Sequence, residues 1–304
     1  MRKEKFEDQF KKLTTSEIDK IISKYSNYPM DKFIRLNIFY DQNKDKPLKV
    51  SITNQDRKNM DDFTKFRHKG YAAYSIFDIE NQAFHLLMKQ KPEFPPRAPD
   101  TGNKLILDYV SDAKVFLDAT KNWVKKNIPN YFDEWDNIRK NLYSTSVSYR
   151  ICYNLRNYVQ HKMYVPISSV VGFSSDKLDY KLDIGNLVDD NQFLNKVALP
   201  KDYFKDSNNV YLKKHIVIYH NQIHYLYLLA MRKYFIAKGK NIKCWHDYFA
   251  KREFPSRLYE LITTKNMLLN EGVAEFSLLD THDTIQEFMD QLVKWKFVDF
   301  KDFV

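Results

Sequence analysis

Residues 103–127 read NKLILDYVSDAKVFLDATKNWVKKN. Ile106, Tyr109, Val110, Ala113, Phe116, Leu117, Thr120 and Val124 recur at three- and four-residue intervals, so at 100° per residue they share one face, with Lys and Asn opposite. The spacing predicts a long amphipathic helix, which must bury its apolar stripe against other elements. Pro129 opens a second helical stretch, interrupted at Ser144-Thr145-Ser146, that runs to about Met163 before Pro166 stops it. A further helix is expected from about Asn209 to Ala237, closed by Gly239 in the C-cap position, with two or three helices after it. Between these helical stretches, residues 167–207 read as irregular with short strands, the clearest being the alternation of Tyr180, Leu182 and Ile184.

Upstream, Ile18, Ile21, Ile22 and Tyr25 keep helical spacing behind an N-cap at Thr15 or Ser16. Leu48, Val50 and Ile52 alternate with polar residues as a half-buried strand would, and residues 70–90 are ambiguous. Pro92, Pro95, Pro96 and Pro99, followed by Gly102, can continue neither a helix nor a central strand and mark a boundary. The expectation is a mainly α (α+β) chain: an N-terminal α/β region (1–99), a helical bundle domain with a strand-bearing insertion (100–239) and a helical C-terminal region with an acidic tail (240–304).

Composition excludes several function classes. The 304 residues are 43% hydrophobic, enough for real cores. The six glycines are too scattered for a G-x-G-x-x-G or a P-loop, which rules out glycine-loop nucleotide cradles. The strongly apolar run Ile223–Met231 falls far short of the roughly 20 residues a membrane span needs, and the charged first dozen residues are unlike a signal peptide. Cys152 and Cys244 alone build neither a disulfide framework nor a cysteine zinc cluster. A reducing, cytoplasmic setting without membrane contact is expected.

The net charge of +10 is segregated: residues from Glu271 to the end carry eight acids against three lysines, leaving +15 for the rest. Arg232, Lys233, Lys238, Lys240, Lys243, Lys251, Arg252 and Arg257 lie within 26 residues, interleaved with Tyr234, Phe235, Trp245, Tyr248 and Phe249. Such a run either tracks and stacks on RNA or forms a solvated helix pair whose aromatics are core.

The chemistry-bearing segment is Tyr149–His161, YRICYNLRNYVQH. Projected as a helix, Val147, Ile151, Cys152, Leu155, Tyr158 and Val159 gather on one face. Arg150, Asn154, Asn157 and His161 line the other, flanked by Tyr153, Arg156 and Gln160. Arg and His in one polar row can hold a phosphate and exchange a proton beside it, although cations near a helix end also serve capping and the macrodipole.

Arg156-Asn157-x-x-x-His161, near the end of a helix that follows another long helix, resembles the R-x(4–6)-H signature of the HEPN superfamily, where Asn, Asp or His commonly follows the Arg. The wider LRNYVQH…P looks like abortive-infection and other phage-defence members, and the resemblance covers roughly residues 103–237. It implies a HEPN-like bundle and metal-independent RNA cleavage needing no cofactor, with Arg156 and His161 catalytic and Asn157 orienting the histidine. Asp112 on the preceding helix is the candidate partner for Arg156, with Arg150 and Gln160 supporting. Because HEPN motifs usually face each other in pairs and the chain carries one, the resemblance implies a homodimer with a composite site; an antitoxin or small-RNA regulator is a further expected partner. A non-catalytic HEPN-type module binding RNA or a protein partner is the alternative.

His220-x-x-x-His224, with His215 nearby, has metal-ligand spacing but lacks the Glu of H-E-x-x-H and an evident third ligand, so packing is favoured and no metal is expected. Cys152 reads as inert packing, and Asp280, His282 and Asp283 as the start of a helix near Thr281.

Overall fold

The computed structural model describes residues 11–41, 48–91, 100–162, 167–171, 178–183, 209–271 and 273–303. In chain order its elements are β1 (Lys11–Lys12), α1 (Thr15–Lys24), β2 (Ile34–Asp41), α2 (Asn54–Lys89), α3 (Asp100–Asn127), a 3-10 turn (Pro129–Tyr131), α4 (Phe132–Thr145), α5 (Val147–Lys162), β3 (Ile167–Val171), β4 (Leu178–Asp183), β5 (Asn209–Tyr211), α6 (Leu212–Ala250), β6 (Leu258–Thr263), α7 (Lys265–Asn270), β7 (Val273–Leu279), α8 (His282–Lys294) and a final 3-10 turn (Phe300–Phe303). The protein is mainly α with a few short antiparallel strands, as the sequence predicts. Among the described residues no helix is long and apolar enough to cross a membrane.

Two compact units are present, one of Met1–Lys69 with Lys238–Val304, the other of Gly70–Ala237. The terminal regions read separately in the sequence thus share a unit. Its sheet has the order β1-β7-β6-β2, and β2 pairs antiparallel with β6 from Ile34↔Thr263 to Asp41↔Leu258. Apolar Ile18, Ile21 and Ile22 of α1 pack on a cluster of Leu13, Leu261, Leu268 and Ala274. Thr14, not Thr15 or Ser16, caps α1, in a reciprocal capping box with Glu17.

Two buried carboxylates tie this unit together. Asp56 forms a capping box with Thr53 at the start of α2, and also accepts from Tyr248 Oη (2.8 Å) and Arg252 Nη2 (2.8 Å). Glu260 on β6 receives both Nη atoms of Arg57, at 2.7 and 3.0 Å, while Arg57 also reaches Asn37 Oδ1. Asn37 sits at φ 56° where the β2 register shifts; asparagine tolerates this left-handed geometry better than most side chains. The strand expected at Leu48, Val50 and Ile52 reduces to a single bridge from Leu48 to Phe39. The true strand is β2, whose partner lies over two hundred residues away and leaves no local trace.

The helical unit fulfils the reading of residues 103–127: every residue of the predicted α3 stripe is buried. α5 packs on α3 and α4, and ring contacts join Tyr149 to Tyr219 (5.0 Å) and Phe116 to Tyr227 (5.2 Å). Trp135 is fully buried and satisfies its indole N–H on Leu226 O. The expected interruption falls at Ser146, whose extended backbone ends α4 and whose Oγ accepts from Tyr149 N to begin α5. In the insertion, β3-β4-β5 form an antiparallel sheet in which Tyr180 and Leu182 are buried as predicted; Ile184 lies outside the described residues, as do prolines 92 to 99.

Three expectations change. Residues 70–90 are the second half of a 36-residue helix, α2. α6 continues through Gly239 to Ala250, because the backbone of Asp302 closes on that position and glycine leaves room for it: a Cβ there would meet Asp302 O at 2.2 Å. The C-terminal region also contains β6 and β7, which pair with each other along their length.

Candidate functional site

The R-x(4–6)-H segment lies in the last two turns of α5, where the sequence places it. The helix buries Ser148, Tyr149, Ile151, Cys152, Asn154 and Leu155, so the buried face is shifted from the predicted one, of which Val147 and Tyr158 are only half-buried and the Val159 side chain lies outside the described residues. Asn154, expected in the polar row, is buried; its Nδ2 donates to Tyr143 Oη (3.2 Å) and Arg150 O (2.9 Å). Removed from solvent, it cannot serve a ligand on that face. Arg150 is likewise committed: its Nη1 donates to Ser144 O and Tyr143 O, closing the end of α4, where a cation is favoured by the carbonyls and the macrodipole.

Of the row, Asn157 remains among the described side chains, with the flanking Arg156 beside it; both are half-buried, and Arg156 Nη1 donates to Asn157 Oδ1 at 3.3 Å. His161 and Gln160 occupy the last turn of α5, and their side chains lie outside the described residues. Asp112 does not fill its expected part: among the described residues no hydrogen bond or ion pair joins it to Arg156. Partial burial and the charges of Asp108 and Glu80 push its carboxyl upward instead. Cys152 is fully buried, and burial drives its thiol far above the ordinary range, which fits inert packing.

The basic run divides by role. Lys238, Lys240, Lys243 and Lys251 are exposed, and Lys233 is exposed with its ammonium over the Tyr131 ring. Arg232 is only half-exposed. Arg252 is not a free backbone contact, since it donates to Asp56 and Ser51 O. The interleaved aromatics do not offer a stacking platform. Tyr234, Phe235 and Phe249 are buried, Trp245 packs against Phe63 and Phe66, and Tyr248 bonds to Asp56. Of the two readings of this run, the packing favours the one in which the aromatics turn inward, three of them buried and Trp245 and Tyr248 half-buried.

A second polar cluster lies inside the helical unit. His220 Nδ1 and His224 Nε2, one turn apart on α6, contact Glu80 Oε1 (3.0 Å) and Oε2 (2.6 Å) on α2. Glu80 and His220 are buried, His224 nearly so. Burial opposes the charge of Glu80, but the hydrogen bonds to both imidazoles prevail and hold its pKa below the usual carboxylate value. Phe84 stacks on His220 at 3.6 Å between centroids, and Phe77 lies 4.7 Å from His224. Tyr109 is fully buried beside them, and its hydroxyl lies near Glu80 without a hydrogen bond of good geometry. His215 stands apart, with Nδ1 2.9 Å from Ser148 Oγ.

Sequence reasoning singled out the histidine pair but missed Glu80, which lies in the ambiguous segment 140 residues away. The one available signal was the capping pattern Thr53-x-x-Asp56, which announces a helix running toward it. Comparison with known proteins finds no matching family model, no similar curated protein and no similar solved structure.

Proposed function

We propose that the chain is a metal-independent RNA endonuclease of the HEPN type, acting as a toxin or phage-defence effector through a site composed across a homodimer. The observation that carries this reading is the state of Arg156. Its guanidinium is half-buried, and its hydrogen bond is to the neutral amide of Asn157; among the described residues no carboxylate neutralises it. A partly desolvated guanidinium without a counter-charge is suited to a phosphate. His161 follows Asn157 by four residues, so the helix carries both on one face.

In that reaction the ribose 2′-OH attacks the adjacent phosphorus in line. His161 moves a proton to or from the reacting oxygens, Arg156 stabilises charge growing on the phosphoryl oxygens, and Asn157 orients the pair. The products are a 2′,3′-cyclic phosphate and a 5′-hydroxyl. The exposed lysines 238, 240, 243 and 251 would add sequence-independent attraction for the backbone.

Expression should arrest growth, and His161→Ala and Arg156→Ala should each relieve the arrest; the purified protein should cleave RNA in EDTA at least about a hundredfold faster than either variant. Equal toxicity of all three proteins would remove the assignment. Salt-sensitive RNA binding without cleavage or toxicity would assign the face to a binding module instead.

A further inference from the structure

We propose that Glu80, His220 and His224 form a buried binding site for one divalent transition-metal ion of the Zn2+ class, which clamps α2 to α6 inside the helical unit. Glu80 offers a carboxylate oxygen and each histidine one ring nitrogen, and the ligand atoms all lie within 4.8 Å of one another. Ligand atoms around a tetrahedral Zn2+ stand roughly 3.3 Å apart, given metal–ligand bonds of about 2.0–2.1 Å. The contacts of 3.0 and 2.6 Å to Glu80 are shorter than that spacing by about 0.3 and 0.7 Å, a difference that small side-chain rotations around an ion would open. The i,i+4 histidines of α6 supply two ligands from one face, and α2 supplies the third.

Two further observations favour an ion over a hydrogen-bonded trio alone. Glu80 is 1% exposed, and among the described residues no Lys or Arg pairs with it. A carboxylate removed from water is stabilised by a nearby positive charge, and a divalent ion supplies one while leaving both ring nitrogens free to coordinate it. Independently, the buried Tyr109 hydroxyl makes no hydrogen bond of good geometry, although Glu80 lies near enough to act on it both by charge and as an acceptor. A water completing the coordination of a three-ligand ion would satisfy that hydroxyl. The two-nitrogen, one-oxygen donor set suits Zn2+ better than Mg2+, which prefers all-oxygen coordination. Since Glu80 and His220 are buried, the role assigned is structural rather than catalytic. It neither needs nor contradicts RNA cleavage at Arg156 and His161.

The test takes the full chain, dialysed against EDTA and then titrated with Zn2+ in competition with a chromophoric chelator, with melting temperature followed in parallel. Expected are one Zn2+ per chain, a raised melting temperature, no comparable response to Mg2+, and a loss of at least about a hundredfold in Zn2+ affinity for both Glu80→Gln and His224→Ala. Absence of stoichiometric Zn2+ uptake by the folded wild type, or uptake unchanged in both variants, overturns the site. Should the variants not fold, Co2+ added to the wild type decides. Intense visible bands of a tetrahedral ion support the site, and the weak spectrum of aqueous Co2+ overturns it.

Discussion

His215 is held neutral in the fold. It is 5% exposed, and its pKa is brought down to about 4, by burial first and the Lys214 charge second, with Asp179 opposing. Its ring faces Ser148 on α5, while Lys214 is its neighbour on α6 and Asp179 lies on β4. The unfolded chain protonates this imidazole near pH 6.5, whereas the folded chain does so only near 4. Between those values the unfolded state binds more protons, so stability is complete above 6.5 and declines as pH falls through the window, by about 1.4 kcal/mol per pH unit. Urea unfolding should therefore show wild type losing about 2 kcal/mol more than His215→Asn on passing from pH 7 to pH 5. Parallel losses in the two proteins would mean that His215 titrates normally in the fold. Arg150 and Asn154 teach a related lesson: their positions on the helix projection are right, yet one closes the end of α4 and the other is buried. Periodicity fixes where a side chain starts, but its partners are set by whichever helix packs alongside.

At the level of elements, α6 gives a case where local propensity and tertiary packing disagree in sign. Within a helix, alanine is favoured over glycine by about 1 kcal/mol, so Gly239→Ala in an isolated helix stabilises. Here the added methyl would fall 2.2 Å from Asp302 O, a backbone atom that cannot swing aside. Overpacking of this kind costs about 1–3 kcal/mol and outweighs the propensity gain, so Gly239→Ala should lower the melting temperature. A neutral or stabilised variant would show that the Phe300–Phe303 turn yields freely. The same position explains why the sequence suggests a helix end there: glycine serves both for a C-cap and for close backbone approach, and only the tertiary structure separates the two. Elements whose signal lies in one window are legible in the sequence, as the fully buried stripe of α3 and the break at Ser146 show. β2, β6 and β7 are not, because their meaning lies in pairings such as Ile34↔Thr263. Glu80 shares that difficulty, being an ordinary acid until α6 brings two histidines to it.

Over the whole molecule, the +10 charge is less available than its sum suggests. Arg57, Arg67 and Arg252 are drawn into Glu260, Asp280 and Asp56, while Arg257 pairs with Glu287, so the acidic C-terminal stretch neutralises part of the basic set. Among the described residues the exposed cations of the 232–257 run are lysines, suited to tracking a phosphate backbone without reading bases. On the proposed function, specific chemistry falls to Arg156 and His161, whose R-x(4–6)-H spacing the chain contains once. If two such motifs build one site, activity requires two copies of the chain, and a two-fold interface meets that requirement by placing the same helix end on both sides. The consequence is kinetic. Below the dimer dissociation constant, the concentration of complete sites falls as the square of the chain concentration, so cleavage per chain should fall in proportion to dilution. A 36.5 kDa chain seen as a monomer by light scattering should be inactive, with activity appearing alongside a species of twice that mass. Cleavage per chain that stays constant through a dilution series in which the scattering mass drops to that of the monomer would place the whole site in one copy, and Arg156 would then need a partner within its own chain.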